Sequence, residues 1–187
     1  MAHVDLRGSN LSGADLSNSE LISANLSGVN LVQANLEGAN LAGANLAGAN
    51  LAGANLMNVK LYGADLTGAS LEGADFSGAY MIKVILNNTT LTGINFNGVN
   101  MDGQKLVGKD LTGADLTNAV LKDTIIKNSY FKNSKLEGVV MNDSDNDSCF
   151  KQDIINRIFC KINFELNPDR PPYETDFEFR DNYSLRN

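Results

Sequence analysis

Large apolar residues recur at every fifth position from Leu6 to Met141 without a break in phase. Of these 28 positions, 21 are Leu, and the rest are Phe76, Met81, Phe96, Met101, Ile126, Phe131 and Met141. Two residues before each of them stands a small residue: 13 Ala, six Val, four Ser, two Thr and one Ile, with Gln104 and Lys109 the two exceptions. The position between is usually Asn or Asp. All 17 glycines fall two residues after the large apolar position and share that phase with six asparagines. The tract Ala34–Leu56 shows the pattern at its purest, with ANL repeated in every unit.

A period of five suits neither regular element. An α-helix repeats at 3.6 residues, so a five-residue stripe spirals around it and buries no single face. A straight strand alternates with period two, which would turn every second Leu outward. A chain that bends once per unit satisfies the pattern: a short extended piece points one small and one large side chain inward, then turns. Gly and Asn fit the turn because both tolerate positive φ. A five-residue unit cannot bury its Leu alone, so successive units must stack as a solenoid.

The motif A-[DN]-L-x-x, seen in AlaAspLeu at 14–16, AlaAsnLeu at 34–36 and AlaAspLeu at 114–116, resembles the pentapeptide-repeat family. The resemblance covers about residues 4–143. It implies an all-β fold, a right-handed quadrilateral β-helix with four units per coil, hence about seven coils. At roughly 4.8 Å per coil such a rod is about 33 Å long. We divide the chain into a repeat body at 1–143 and a C-terminal capping helix with a polar tail at 144–187.

With four units per coil, as the resemblance implies, residues twenty apart stack on one face. One face then carries an acidic column of Asp15, Glu37, Asp75, Asp115 and Glu137, opposed by Lys135. The next face carries Ile22, Tyr62, Tyr80, Ile82, Val120 and Val140, with Tyr62, Tyr80 and Ile82 on adjacent coils. An exposed apolar and aromatic patch marks a contact surface for a protein partner. Ile22, Tyr62, Tyr80, Ile82 and Val120 are the candidate partner-binding residues. Gln104 and Lys109 break the rule of small inward residues in successive units. A lysine cannot sit unpaired in a leucine core, so the wall is expected to bulge there and let it out.

After Met141 the pattern stops. Ser148 followed by CFKQDIINRIFCKI reads as an N-capped helix with Phe150, Ile154, Ile155, Ile158, Phe159 and Ile162 on one face, a lid for the open end of the solenoid. Cys149 and Cys160 on that helix would stand about 16 Å apart, too far for a mutual disulfide. The N-terminal end has no comparable cap, which leaves two options: pairing with another subunit, or excision from a longer chain.

Charge and composition narrow the chemistry. A net charge of −7 offers nucleic acid and anionic membranes no attraction, and no run of 18 apolar residues is present. MAHVDLRGSN has no hydrophobic signal core, so a cytoplasmic, bacterial-type soluble protein is expected. The one histidine, His3, leaves no Ser-His-Asp or Cys-His set, and no cofactor or metal is expected. Residues 143–154 carry alternating aspartates, but Ser148 and Ile154 stand where a calcium loop needs Gly and Glu. The chain is therefore read as a non-enzyme.

Three functional readings stay open. The first is a non-catalytic scaffold that presents the faces of a rigid β-helix to a protein partner, with homodimerisation through an end or the apolar face. The second comes from the resemblance, since some family members mimic duplex DNA and bind type II topoisomerases such as gyrase. Here residues 1–82 carry seven acids and two bases, a net of −5, where about 19 Å of duplex would carry about 11 charges. Residues 83–141 carry five acids and seven bases, a net of +2. The third reading is the recognition domain of a larger effector enzyme.

Overall fold

The computed structural model describes residues 3–126 and 129–141. The expected capping helix at 148–162 and the tail lie outside the described residues. The chain winds in coils of twenty residues, and single parallel bridges join residues before a large apolar position to those twenty further on, from Asp5–Asn25 to Val120–Val140, with three gaps among the described residues. Among the described residues no continuous strand or helix forms. The reason is the turn: the chain changes direction every five residues, before two consecutive bridges can be made.

Three backbone hydrogen bonds per unit tie coil to coil. Leu26 N donates to Asn45 O at 2.7 Å, Gly28 N to Ala47 O at 2.9 Å, and Asn45 N to Ala24 O at 2.9 Å. A fourth closes the corner within the unit, Val29 N to Leu26 O at 3.2 Å. The residue two after the large apolar position has positive φ in every described unit, from Gly28 at 63° to Asn58 at 55° and Lys83 at 59°. A four-residue turn with positive φ only at its third residue is type II, the turn that favours Gly and Asn there. The spacing of glycine in the sequence is thus the spacing of corners.

Both inward positions of each unit fill the bore. The large residues from Leu26 to Leu66 have no solvent exposure, and the alanines two before them at most a few per cent. Phe76 and Phe96, one coil apart, stack with ring centroids 5.6 Å apart and planes tilted by 37°. Val4, Leu6, Leu11 and Leu16 are half-buried against the core, because the first coil has a neighbour on one side only.

The wall departs from regularity where Gln104 and Lys109 stand, but not as the sequence leads one to expect. Gln104 is not let out: it is 3% exposed, and its Nε2 donates to Val84 O at 2.5 Å. Lys109 is half-buried, and its Nζ donates to Leu86 O. Burial pushes the Lys109 ammonium below its ordinary pKa. Among the described residues the bridges that would join Ser70 to Thr90, Ile85 to Lys105 and Thr90 to Asp110 are missing. In regular coils the carbonyl equivalent to Val84 O takes the backbone N–H 21 residues later; here the Gln104 amide takes it. The loosened ladder frees Val84 O for Gln104, and Lys109 shares the corner carbonyl Leu86 O with Thr89 N, so both polar side chains turn inward onto backbone carbonyls instead of outward to water.

Candidate functional site

The bridges sort the outward residues into four columns, two of them continuous and two interrupted, at Ile85–Lys105 and on either side of Thr90. One runs Asp15, Asn35, Asn55, Asp75, Asn95, Asp115, Lys135. The sorting of Asp15, Asp75, Asp115, Glu37 and Glu137 onto one face follows from this register. The column's aspartates are not neighbours, however, because asparagines separate them and hydrogen-bond along the column. Asn35 Nδ2 donates to Asp15 Oδ1 at 3.2 Å, and Asn55 Nδ2 to Asn35 Oδ1 at 3.1 Å. Lys135 Nζ donates to Asp115 Oδ2 at 2.8 Å. That ammonium, with the Thr117 side chain beside it, holds the Asp115 carboxyl down at about 2. Ser17, followed by Asn35, lowers Asp15 as well. Both carboxyls are held ionised, the opposite of what a general acid needs.

The next column runs Glu20, Asn40, Lys60, Tyr80, Asn100, Val120, Val140. Tyr62 and Tyr80 are 51% and 54% exposed, on adjacent coils, with the half-buried Ile82 beside Tyr62. Gly63 N donates to Ile82 O at 3.0 Å, which locks these two coils in register. Lys83 Nζ lies 5.4 Å from the Tyr62 ring centroid, a cation–π contact that orients the ring. Tyr62, Tyr80 and Ile82 therefore lie on one face, on two adjacent coils. Ile22 stands two coils away from Tyr62, and Asn100 separates Tyr80 from Val120, so these two do not join the patch.

A second apolar cluster lies around the corner: Asn45, Asp65 and Ile85 are bridged in one column, Lys105 and Ile125 are bridged in turn, and the twenty-residue phase sets Lys105 after Ile85 although no bridge joins them. Ile85, Val107 and Ile125 are 44%, 48% and 49% exposed, with Lys105 among them. Sorting by twenty would have found it, because 85, 105 and 125 share one phase. In the sequence Lys105 interrupts the apolar phase of Ile85 and Ile125 and hides the cluster.

Comparison with known proteins decides the family. A model described as pentapeptide repeats matches in eight copies, over residues 1–38, 34–73, 60–98, 94–133 and 105–143. The chain belongs to the pentapeptide-repeat family. With membership comes the family's right-handed β-helix, to which the twenty-residue coils conform. The pentapeptide-repeat protein HetL of the cyanobacterium Nostoc sp. strain PCC 7120, involved in the regulation of heterocyst differentiation, is 30% identical, over 76% of this chain and 72% of HetL, with a TM-score of 0.45. QnrB1, a plasmid-mediated fluoroquinolone resistance protein, is 18% identical over 75% of this chain and 83% of its own, with a TM-score of 0.49. A pentapeptide-repeat protein of the Arabidopsis thaliana thylakoid lumen is 32% identical over 64% of this chain and 69% of its own, with a TM-score of 0.30. No curated protein sequence matches this pentapeptide-repeat chain.

Proposed function

We propose that the chain is a non-catalytic interaction scaffold, a β-helical rod whose Tyr62–Tyr80–Ile82 patch docks a protein partner. The observation that carries the reading is the placement of two half-exposed tyrosines on successive coils of one face, flanked by Ile82 and Lys83. Tyrosines offer large contact area with few rotors to freeze, and they are enriched at the energetic centres of interfaces. The rod holds them on a backbone ladder that needs no rearrangement to bind.

The test is capture of partners from native lysate by the wild-type rod, by Tyr62→Ser with Ile82→Ser, and by the control Asp15→Asn with Glu37→Gln. A specific partner, confirmed with purified components, binds the wild type and the control alike and binds the patch variant at least tenfold more weakly. Equal binding by all three refutes the patch.

Topoisomerase binding through DNA mimicry is the second reading, drawn from the family. The asparagines interspersed among the aspartates and the Lys135 cation at one end of the acidic column count against it. Inhibition of gyrase supercoiling at micromolar protein would replace the first reading with this one. Either reading serves a rod that works as the recognition part of a longer protein.

A further inference from the structure

The column Asn45, Asp65, Ile85, Lys105, Ile125, whose Ile85–Lys105 step is set by the twenty-residue phase and not by a bridge, has a property the tyrosine face lacks: reversed about Ile85, its two charges, Asp65 and Lys105, are each other's complement. We propose that this face is a self-docking surface, on which a second copy of the chain lies antiparallel about a two-fold axis through the Ile85 rung. Such an axis, in the contact plane and perpendicular to the rod, places each residue one rung above Ile85 opposite the residue one rung below it in the second copy. Asp65 then faces Lys105 twice over, Ile85 faces itself, Thr67 faces Val107, and Ile125 faces Asn45.

Charge selects this register over its neighbours. An axis one rung later sets Lys105 against Lys105, and one rung earlier sets Asp65 against Asp65. A parallel pair about the rod axis opposes like charges on both rungs. Both partners of the proposed pair are available. Lys105 is exposed and makes no ion pair among the described residues. Asp65 spends Oδ1 on Thr67 N at 2.8 Å, and no hydrogen bond to its Oδ2 is made among the described residues.

The rod as a whole carries the same complementarity. Residues 1–82 hold seven acids against two bases, and residues 83–141 five acids against seven bases. Antiparallel copies lay the acidic half of one along the basic half of the other, which steers encounter as well as register. Ile85, Ile125 and Val107, each exposed by nearly half, supply the apolar centre. The overlap spans five rungs, about 24 Å at roughly 4.8 Å each. That is the small end of specific interfaces, so the dimer is weak and dependent on concentration and salt.

Sedimentation velocity across a concentration series at low ionic strength tests it. The mass is expected to rise from the 20.1 kDa of one chain toward twice that value, and to fall back when salt is added. Asp65→Lys and Lys105→Asp each weaken association at least tenfold by facing like charges, and the double variant Asp65→Lys with Lys105→Asp restores it. Lysine is tolerated in these columns, as Lys60 and Lys135 show, and far-UV circular dichroism checks that each variant folds. Ile85→Ser weakens the dimer in either charge background. A chain monomeric at all concentrations overturns the proposal. So does a dimer that neither single charge reversal weakens, or one that the double variant does not restore.

Discussion

The sign of one substitution tests the turn on which the whole fold depends. Gly48 sits mid-rod with φ at +66°, and a Cβ built on it meets nothing within 4 Å. At an ordinary negative φ, Gly→Ala in open space stabilises a protein by about 0.4–1 kcal/mol, because alanine loses less chain entropy on folding. In the left-handed region the Cβ crowds its own backbone at roughly 1–2 kcal/mol. The difference makes Gly48→Ala destabilising by about 1 kcal/mol. Gly78 adds a second effect: its φ is also +66°, but the new Cβ would stand 2.5 Å from Asn58 Oδ1. That amide end can swing away, so Gly78→Ala costs about 0.5 kcal/mol more than Gly48→Ala. Gly48→Asn costs less than Gly48→Ala, since Asn tolerates the left-handed region and already fills this corner at Asn18, Asn58, Asn88, Asn118 and Asn133. Urea unfolding followed by far-UV circular dichroism measures all three, with an unchanged slope confirming that the unfolded state is not what moved. A Gly48→Ala variant as stable as the wild type, or more so, refutes the left-handed corner and with it the type II turn. Equal losses at Gly48 and Gly78 refute the placement of the Asn58 side chain.

The stacked Phe76 and Phe96 rings give a coupling prediction. Phe76→Leu and Phe96→Leu each cost about 1–2 kcal/mol, but together they cost about 0.5–1 kcal/mol less than their sum, since the ring pair is lost once; additivity within about 0.3 kcal/mol counts against the contact. Asp115 gives a pH prediction. Its carboxyl is held at about 2 against an ordinary 3.8, so it contributes stability that is present above pH 3.8 and lost as pH falls toward 2. Lys135→Gln moves the Asp115 titration, read by carboxyl carbon NMR, back toward 3.8 and flattens stability across that window. A titration left in place shows that the Lys135 contact does not hold in solution.

The five-residue unit and its inward positions could be read from the sequence because the unit is monotonous, whereas the four faces came from the family resemblance. One large inward residue, one small one and one corner residue per five positions leave a single stacking that buries every Leu. Sorting by twenty then places Asp15 beside Asn35 and Lys60 beside Tyr80. Sorting alone could not show which members of a column touch. Ile22 and Val120 share a phase with Tyr62 and Tyr80, yet coils bearing Ala42 and Asn100 intervene. The absence of continuous strands also escaped the reading, because a corner every five residues limits each unit to one bridge.

The fate of the inward polar residues shows where the remaining information lay. Thr89 Oγ1 donates to Leu66 O at 2.8 Å, Thr124 Oγ1 to Met101 O at 2.8 Å, Ser129 Oγ to Leu106 O, and Lys109 Nζ to Leu86 O. Each acceptor lies 23 residues earlier, the carbonyl of a large inward residue on the preceding coil. A donor at the small inward position therefore has a standing partner, which the sequence hides because the partner is backbone. Two cases bound the rule. Ser19 has no residue 23 positions before it, and its buried Oγ has no hydrogen-bond partner among the described residues. Ser134 turns instead to Phe131 O at 2.7 Å, within its own corner. The Thr89 and Lys109 bonds stand beside the missing bridges Ser70–Thr90 and Thr90–Asp110, and the Gln104 bond to Val84 O beside the missing Ile85–Lys105, whereas Thr124 and Ser129 stand beside the intact bridges Lys105–Ile125 and Asp110–Tyr130. Gln104 and Lys109 are thus not intrusions that the leucine core expels. They hold the two walls together where the backbone ladder does not.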